Sequence, residues 1–357
     1  MIPQGPDMDN TNKNRRKIRH YNIPIFIPHK GCPNDCVFCN QRRISGKITF
    51  IRESVEEEIA KAIATLPPGE KDVQIAYFGG SFTGIDRNDL IYLLSTAKAF
   101  IDRGEASSVR LSTRPDYIDG EILDILENYG VKSIELGVQS MSDKVLSVCR
   151  RGHTSADTVR AFRLIKERGF ELVGQMMIGL PGSTVEDEIM TAEAIADHGC
   201  TGARIYPTVV FNDTELAGMA RSGKYAPLTV NEAVERSAAV FSLFAERKVN
   251  VIRIGLQANE ALVSGEGVYA GAFHPAFGEL VMNRFYLDRL RAELSRLGLP
   301  GSEKRDIVIA CANGETSKII GQKKSNIRIT EDEYNVKIRK VLEKSDIIIY
   351  NILITFQ

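Results

Sequence analysis

The chain has 357 residues, 43% of them hydrophobic, enough to bury a large core as one big domain or as one domain with a smaller appendage. Lysine plus arginine equals aspartate plus glutamate at 46 each, which removes any whole-protein field that would draw the chain onto nucleic acid or a membrane, so a basic partner site must be local. No stretch approaches the roughly 20 apolar residues of a membrane span, the N-terminus lacks the apolar centre of a signal peptide, and six cysteines without spaced pairs predict reduced thiols; a cytoplasmic protein with no membrane partner is expected.

Residues 1–20 crowd Lys13, Arg15, Arg16, Lys17 and Arg19 together without apolar periodicity and read as a flexible basic arm, either a solubilising tail or a contact for RNA. The run NIPIFIP then predicts a strand. GCPNDCVFCN, residues 31–40, follows it and sets Cys32, Cys36 and Cys39 within eight positions. Thiolates this close together bind zinc or an iron–sulfur cluster. A structural zinc ion normally takes four protein ligands as two pairs, and no second pair exists: Cys149, Cys200 and Cys311 are isolated in hydrophobic or helical runs, and His29 is an alternative fourth donor. A cube of four irons with three cysteine ligands leaves one iron open for a cofactor or substrate, which accounts for three thiolates rather than four.

Further along, Ser54 and Glu57 form a capping-box pattern opening a helix with Val55, Ile59, Ala62, Ile63 and Leu66 on one face, ended by Pro67, Pro68 and Gly69. VQIAYF is the next strand and exits through Gly79 and Gly80, where a missing Cβ lets backbone approach a ligand. A helix with Leu90, Leu93, Leu94, Ala97 and Ile101 on one face, the strand VRLST, a helix ending near Gly130 and the strand KSIELGV come next. ELVGQMMIGL precedes a helix from about Val185 to His198, GARIYPTVV precedes one near 231–247, and VNVIRIGL closes the series. Strands alternating with helices over residues 21–257 predict an α/β fold, a parallel sheet curled into a full or partial (β/α) barrel.

Residues 258–302 read as a helical extension, with HPAFGELVMNRFYLDRLRAELSRL as one long helix. Residues 303–357 read as a small C-terminal α/β module made of the strand RDIVIAC, a helix near 329–342 and the strand DIIIYNILITF. In a parallel barrel, ligands collect at the carboxyl ends of the strands. Ser112, Gln139, Arg151 and Gln175 stand at such ends and are candidate binding groups, each of which alone could equally be a satisfied strand cap; Tyr206 is a candidate of the same kind.

The C-x-x-x-C-x-x-C spacing, with Phe38 just before the last cysteine, resembles the signature of the radical S-adenosylmethionine (SAM) superfamily, and its place after the first strand matches. STRPDY, ELGVQS, RGHT, IGLPG, RIYPT and HPAFGELV are similar to segments of the Elongator catalytic subunit and its bacterial relatives, over roughly residues 21–290. The resemblance implies a 4Fe-4S cluster on Cys32, Cys36 and Cys39, with SAM chelating the open iron. It also implies cleavage of SAM to a 5′-deoxyadenosyl radical, driven by a donor such as flavodoxin or ferredoxin. By the same resemblance Phe38 faces the adenine, Gly79 and Gly80 hold the methionine amino group, Ser112 and Gln139 contact ribose, Arg151 takes the carboxylate and Gln175 a ribose hydroxyl. Porphyrin-oxidising members carry carboxylates where Ser112 and Gln175 stand.

Elongator-like proteins modify carbon 5 of the wobble uridine of tRNA and use a second, acetyltransferase domain. The C-terminal stretch is at the lower edge of what folds alone, so that domain is expected to be missing. SKIIGQKKSNIRITEDEYNVKIRKV resembles a KH module, with Gly321, Gln322, Lys323 and Lys324 as the backbone-clamping loop and a lysine where the second glycine belongs. Ten basic against eight acidic residues from 303 onward leave a solvated face of a small packing domain as the alternative. The expected function is a radical SAM enzyme acting on RNA. The alternatives are oxidation of a small molecule such as a porphyrinogen, and a non-catalytic RNA-binding protein with a structural metal site.

Overall fold

A computed structural model describes residues 18–27, 32, 36–40, 50–257 and 260–357. Most of the basic arm, and His29, lie outside the described residues. Strands β1 (Arg19–Ile27), β2 (Lys71–Gly79), β3 (Ser108–Thr113), β4 (Val131–Gln139), β5 (Glu171–Ile178) and β6 (Gly202–Pro207) lie side by side in chain order. A strand at Asn250–Ile254, β8, completes a seven-stranded sheet beyond β6. Every neighbouring pair is parallel, so the chain must cross back outside the sheet between strands. It does so through α1 (Val55–Ala64), α2 (Arg87–Asp102), α3 (Gly120–Asn128), α4 (Asp143–Val148), α5 (Ser155–Glu167), α6 (Val185–Asp197), α7 (Glu215–Arg221) and α8 (Val230–Glu246).

The sheet curls. The Arg204 guanidinium on β6 sits 5.5 Å from the centre of the Phe78 ring on β2. Those strands are four steps apart, about 19 Å on a flat sheet, so the strands bend round a lumen as a half-barrel. Alternation along each strand then divides the side chains. Ile23, Ile25, Ile75, Tyr77, Val109, Leu111, Ile134 and Leu136 are buried with Leu90, Leu93 and Phe100 of the outer helices. Gln74, Arg110, Ser112, Ser133, Glu135, Gln175, Arg204 and Tyr206 occupy the alternate positions and face the lumen.

Thr154, Thr184 and Thr229 open α5, α6 and α8 with full capping boxes. The box expected from Ser54 and Glu57 does not form. Ser54 has helical dihedrals (φ −83°, ψ −11°), whereas a capping residue needs an extended backbone, and its hydroxyl bonds the Ile51 carbonyl and Glu58 instead.

GARIYPTVV is not one strand. Thr208 donates both its amide and its hydroxyl to the Ile178 carbonyl, at 2.9 and 2.8 Å, and the chain leaves the sheet there. β7 (Val209–Phe211) then pairs antiparallel with β9 (Val268–Gly271), reached through the short helix α9 (Glu260–Val263). Helix α10 (Phe277–Arg296) starts after a turn in which His274 Nδ1 accepts the Ala276 amide, so its first turn lies three residues later than the sequence pattern suggests.

The C-terminal residues form β10 (Arg305–Cys311), α11 (Thr316–Ile320), α12 (Ser325–Tyr334), β11 (Val336–Glu343) and β12 (Ile352–Phe356), in the sheet order β11-β10-β12. The helix expected over 329–342 ends at Tyr334. Asn335 takes a left-handed conformation (φ 49°), and Val336 and Ile338 are then buried while Lys337 and Arg339 are exposed, a strand alternation. DIIIYNILITF supplies a strand only from Ile352. Phe285 of α10 packs edge-on against Phe241 of α8 at 5.0 Å and Tyr350 at 5.9 Å, so this module shares one apolar core with the barrel. Among the described residues no helix is long and apolar enough to cross a membrane.

Candidate active site

The cysteine segment follows β1 at the carboxyl end of the half-barrel. The Cys39 amide donates to the Cys36 carbonyl at 2.9 Å, a tight turn that carries both thiols. Two longer-range bonds tie this turn down: the Val37 amide to the Cys149 carbonyl at 3.2 Å, and the Leu216 amide to the Val37 carbonyl at 2.8 Å. Beneath it Val37 packs with Val145, Cys149, Leu180, Val210 and Leu216, with half-buried Phe38 against the same cluster. No disulfide joins any of the six cysteines among the described residues. Among the described residues no three His, Cys, Asp or Glu side chains converge tightly enough to hold one metal ion.

Arg151 joins the cysteines to the sheet. One terminal nitrogen lies 3.6 Å from Cys36 Sγ and the other donates to the Gly137 carbonyl at 2.9 Å. A Cβ on Gly137 would stand 2.8 Å from that guanidinium and 3.0 Å from the Gln139 amide nitrogen, so a side chain there would displace one of these two groups from its present position. Gln139 ends β4 with φ 64°, its side chain is buried, and its Oε1 has no partner among the described residues. A buried amide oxygen without a donor is costly, and a ligand hydroxyl or ammonium would satisfy it. At the end of β2, Gly79 has φ 130°, and a Cβ there would lie 2.3 Å from the Ile27 carbonyl oxygen. The Gly80 amide binds that same oxygen at 3.2 Å, so β1 and β2 stay in contact up to the point where the cysteine segment departs.

Beside these, buried Thr113 bonds the hydroxyls of Ser81 (2.8 Å) and Thr83 (2.6 Å), fixing the exits of β2 and β3. Arg114 is buried and forks onto Asp116 with two 2.9 Å bonds, leaving Nη1 without a partner among the described residues. Burial pushes the Cys32 thiol up, and the charges of Arg151 and Arg114 oppose that shift. The thiols of Cys32 and Cys36 thus lie within the field of two guanidinium groups, an environment suited to a soft, electron-rich group with an anionic ligand.

His153, two residues past Arg151, is 3% exposed; Nε2 reaches the Val138 carbonyl at 3.3 Å and Nδ1 has no partner among the described residues. Burial, then the charge of Arg151, depress its pKa to about 4. The unfolded chain takes up this proton first, near pH 6.5, so the stability that neutral His153 contributes is complete above that pH and is lost as pH falls toward 4. The window corresponds to about 3 kcal/mol. His153→Gln is expected to flatten the decline of the urea midpoint between pH 6.5 and 4; an unchanged decline would contradict a neutral buried imidazole.

Deeper in the lumen an ion network forms the floor. Arg204 forks onto Glu135, Nε to Oε2 at 2.7 Å and Nη2 to Oε1 at 2.8 Å. Arg110 Nε lies 3.5 Å from the same carboxylate, and its Nη2 donates to Ser133 at 2.8 Å. Glu135 holds the Arg204 charge on, against the desolvation that would remove it.

The structure thus links Cys36, Arg151 and Gly137 directly, with the Gln139 side chain close to Gly137. Gln175 lies beside Gly137 and Arg204 in strand register, and Ser112 is paired with Glu135, both half-buried on the lumen face. Phe38, half-buried, packs against the apolar cluster beneath the turn. Arg110, Arg114, Glu135, His153 and Arg204 are the site residues that motif reading missed. The signal for three of them was present: Arg110, Glu135 and Arg204 fall on alternate positions of strands that are otherwise apolar or small.

Two family profiles match this chain, the radical SAM superfamily over residues 26–195 and the radical SAM C-terminal domain over residues 200–286. The chain belongs to the radical SAM superfamily. It is therefore an enzyme, and members of the superfamily generally carry a 4Fe-4S cluster and use SAM. An uncharacterized protein of Methanocaldococcus jannaschii is 30% identical over 233 residues, 62% of this radical SAM chain and 71% of that protein. The tRNA uridine(34) acetyltransferase of Methanocaldococcus infernus is 36% identical over 128 residues, 35% of this chain and 24% of the relative. Elongator complex protein 3 of Schizosaccharomyces pombe is 30% identical over 225 residues, 62% of this chain and 40% of the relative. The chain thus spans less than half the length of these two named relatives. In structure it is similar to the archaeal Elp3 of M. infernus, with a TM-score of 0.58 and 20% identity over 78% of this chain and 63% of that one, a likeness of fold.

Proposed function

We propose that Cys32, Cys36 and Cys39 hold a 4Fe-4S cluster, that SAM lies across the carboxyl ends of the neighbouring strands, and that the enzyme modifies a uridine of tRNA. When bound, such a cluster supplies one electron that splits SAM into methionine and a 5′-deoxyadenosyl radical able to abstract hydrogen. The carrying observation is the Arg151 guanidinium between Cys36 Sγ and the Gly137 carbonyl, next to the unpartnered Gln139 oxygen. In this reading Arg151 attracts the SAM carboxylate, Gly79 and Gly80 leave backbone open to the ammonium, and Phe38 covers the adenine. Gln139, Ser112 and Gln175 receive the ribose. A flavodoxin- or ferredoxin-like protein provides the electron.

The relatives named for Elongator and for tRNA uridine modification support RNA as substrate. Residues 21–257 are the barrel, 258–302 an extension packed on it, and 303–357 a module that contacts RNA. Lys323 and Lys324 both take left-handed conformations (φ 50° and 61°) in the turn between α11 and α12, which fits a loop that follows a nucleic acid backbone.

Anaerobically reconstituted protein is expected to release 5′-deoxyadenosine faster, by about tenfold or more, when unmodified tRNA is added. Lys323→Glu with Lys324→Glu is expected to raise the tRNA concentration needed. Stimulation by a porphyrinogen or another small metabolite, with none by tRNA, would overturn the RNA assignment and favour small-molecule oxidation.

A further inference from the structure

Tyr206 is two residues past Arg204 on β6, on the same face and nearer the strand's carboxyl end, so it stands between the ionic floor and the cysteine segment. Arg204 Nη1 donates to its hydroxyl oxygen at 3.3 Å. A guanidinium has no acceptor, so the phenolic proton must point elsewhere, and among the described residues it has no acceptor. The arginine that aims this hydroxyl is itself locked, forked onto a carboxylate only 2% exposed and backed by the Phe78 ring. Phe26 extends that wall, its ring 6.2 Å from Phe78. A half-buried donor with a preset direction beside an aromatic wall suits a flat ligand carrying an acceptor oxygen. Glu135 and Glu171 together balance Arg204 and Arg110, so this point favours a neutral carbonyl over a phosphate.

We infer that Tyr206 is a specificity residue whose hydroxyl donates to a ring carbonyl of a pyrimidine base held in the lumen. This rests on the proposed RNA substrate and says how that substrate is read. Gln175 and Met177 adjoin it, in register with Arg204 and Tyr206, and form the neighbouring strip of the same wall.

The test pairs a protein change with a ligand change. Reconstituted full-length protein and its Tyr206→Phe variant are titrated with anticodon stem-loop hairpins that differ only at the wobble base. That base is uridine, its analogue without the 4-oxygen, or its analogue with sulfur in place of the 2-oxygen. The original protein should bind the uridine hairpin about five- to tenfold more tightly than one of the analogues, the worth of one hydrogen bond. Tyr206→Phe should erase that gap while its affinity for the same analogue stays unchanged, which also shows that the variant is folded. A gap that survives in Tyr206→Phe, or equal weakening toward all three hairpins, overturns the inference and leaves the RNA reading standing. No binding of any hairpin by the original protein overturns the RNA reading and this inference with it.

Discussion

Full-length Cys36→Ser protein, reconstituted anaerobically with iron and sulfide, is expected to release 5′-deoxyadenosine from SAM at background rate. The loss should be about a thousandfold or more, the equivalent of roughly 4 kcal/mol or more in the barrier. Serine offers a hard oxygen that stays protonated at neutral pH, a poor ligand for iron–sulfide chemistry, while its shape is close enough to keep the turn. The Cys39 amide bonds the backbone carbonyl of residue 36, not the thiol, so that turn survives the exchange. Cys32→Ser and Cys39→Ser should behave alike. Cys200→Ala is the contrasting case: burial pushes that thiol up to about 12, and it belongs to the apolar core, so iron content and SAM cleavage should persist. Iron and acid-labile sulfide are counted alongside activity. Cluster content unchanged in all three serine variants would contradict ligation by these cysteines.

The second large effect concerns the lumen floor. Glu135→Ala leaves Arg204 and Arg110 facing each other without the carboxylate they share, in a site where Glu135 is 2% and Arg110 3% exposed. Removing one partner of a buried ion group costs about 3–5 kcal/mol, because the Arg204 charge is then left without its carboxylate, whereas Arg110 keeps Glu171 at 3.6 Å. The midpoint of urea unfolding should fall accordingly with no change in slope. Glu135→Leu combined with Arg204→Met should recover much of the loss, since a packed apolar pair often replaces a buried ion pair at little cost. A decrease below about 1 kcal/mol for Glu135→Ala would mean that water reaches the floor.

Periodicity carried most of the architecture. The barrel strands are short apolar runs and the outer helices have clear apolar faces, so both were legible residue by residue in places such as Val109–Leu111 and Leu90–Ala97. Partnership at a distance was not. Nothing in RIYPTVV shows that Val209–Phe211 leaves the sheet to pair with Val268–Gly271, because that depends on Thr208 binding Ile178 from another strand. In NVKIRKVLE, charges flank apolar residues in a way that suits a helix or a strand, and the left-handed Asn335 that decides the matter has no strong sequence signal.

The site divides similarly. Of the candidate residues, Cys32, Cys36 and Cys39 stood out by spacing alone, whereas Gly79, Gln139 and Arg151 stood out only by their places at strand ends and by resemblance. Arg114 and His153 were not singled out, since their importance lies in burial and unpartnered nitrogens that appear only after folding. Arg204 acquires meaning only from the curl that brings it over Phe78.

The most direct measurement is electron paramagnetic resonance of the reduced, reconstituted full-length protein, recorded with and without SAM. One vacant iron on a cube held by Cys32, Cys36 and Cys39 predicts a 4Fe-4S signal that changes when SAM is added. A 4Fe-4S signal that SAM leaves unaltered, or protein that takes up zinc and no cluster, would contradict it.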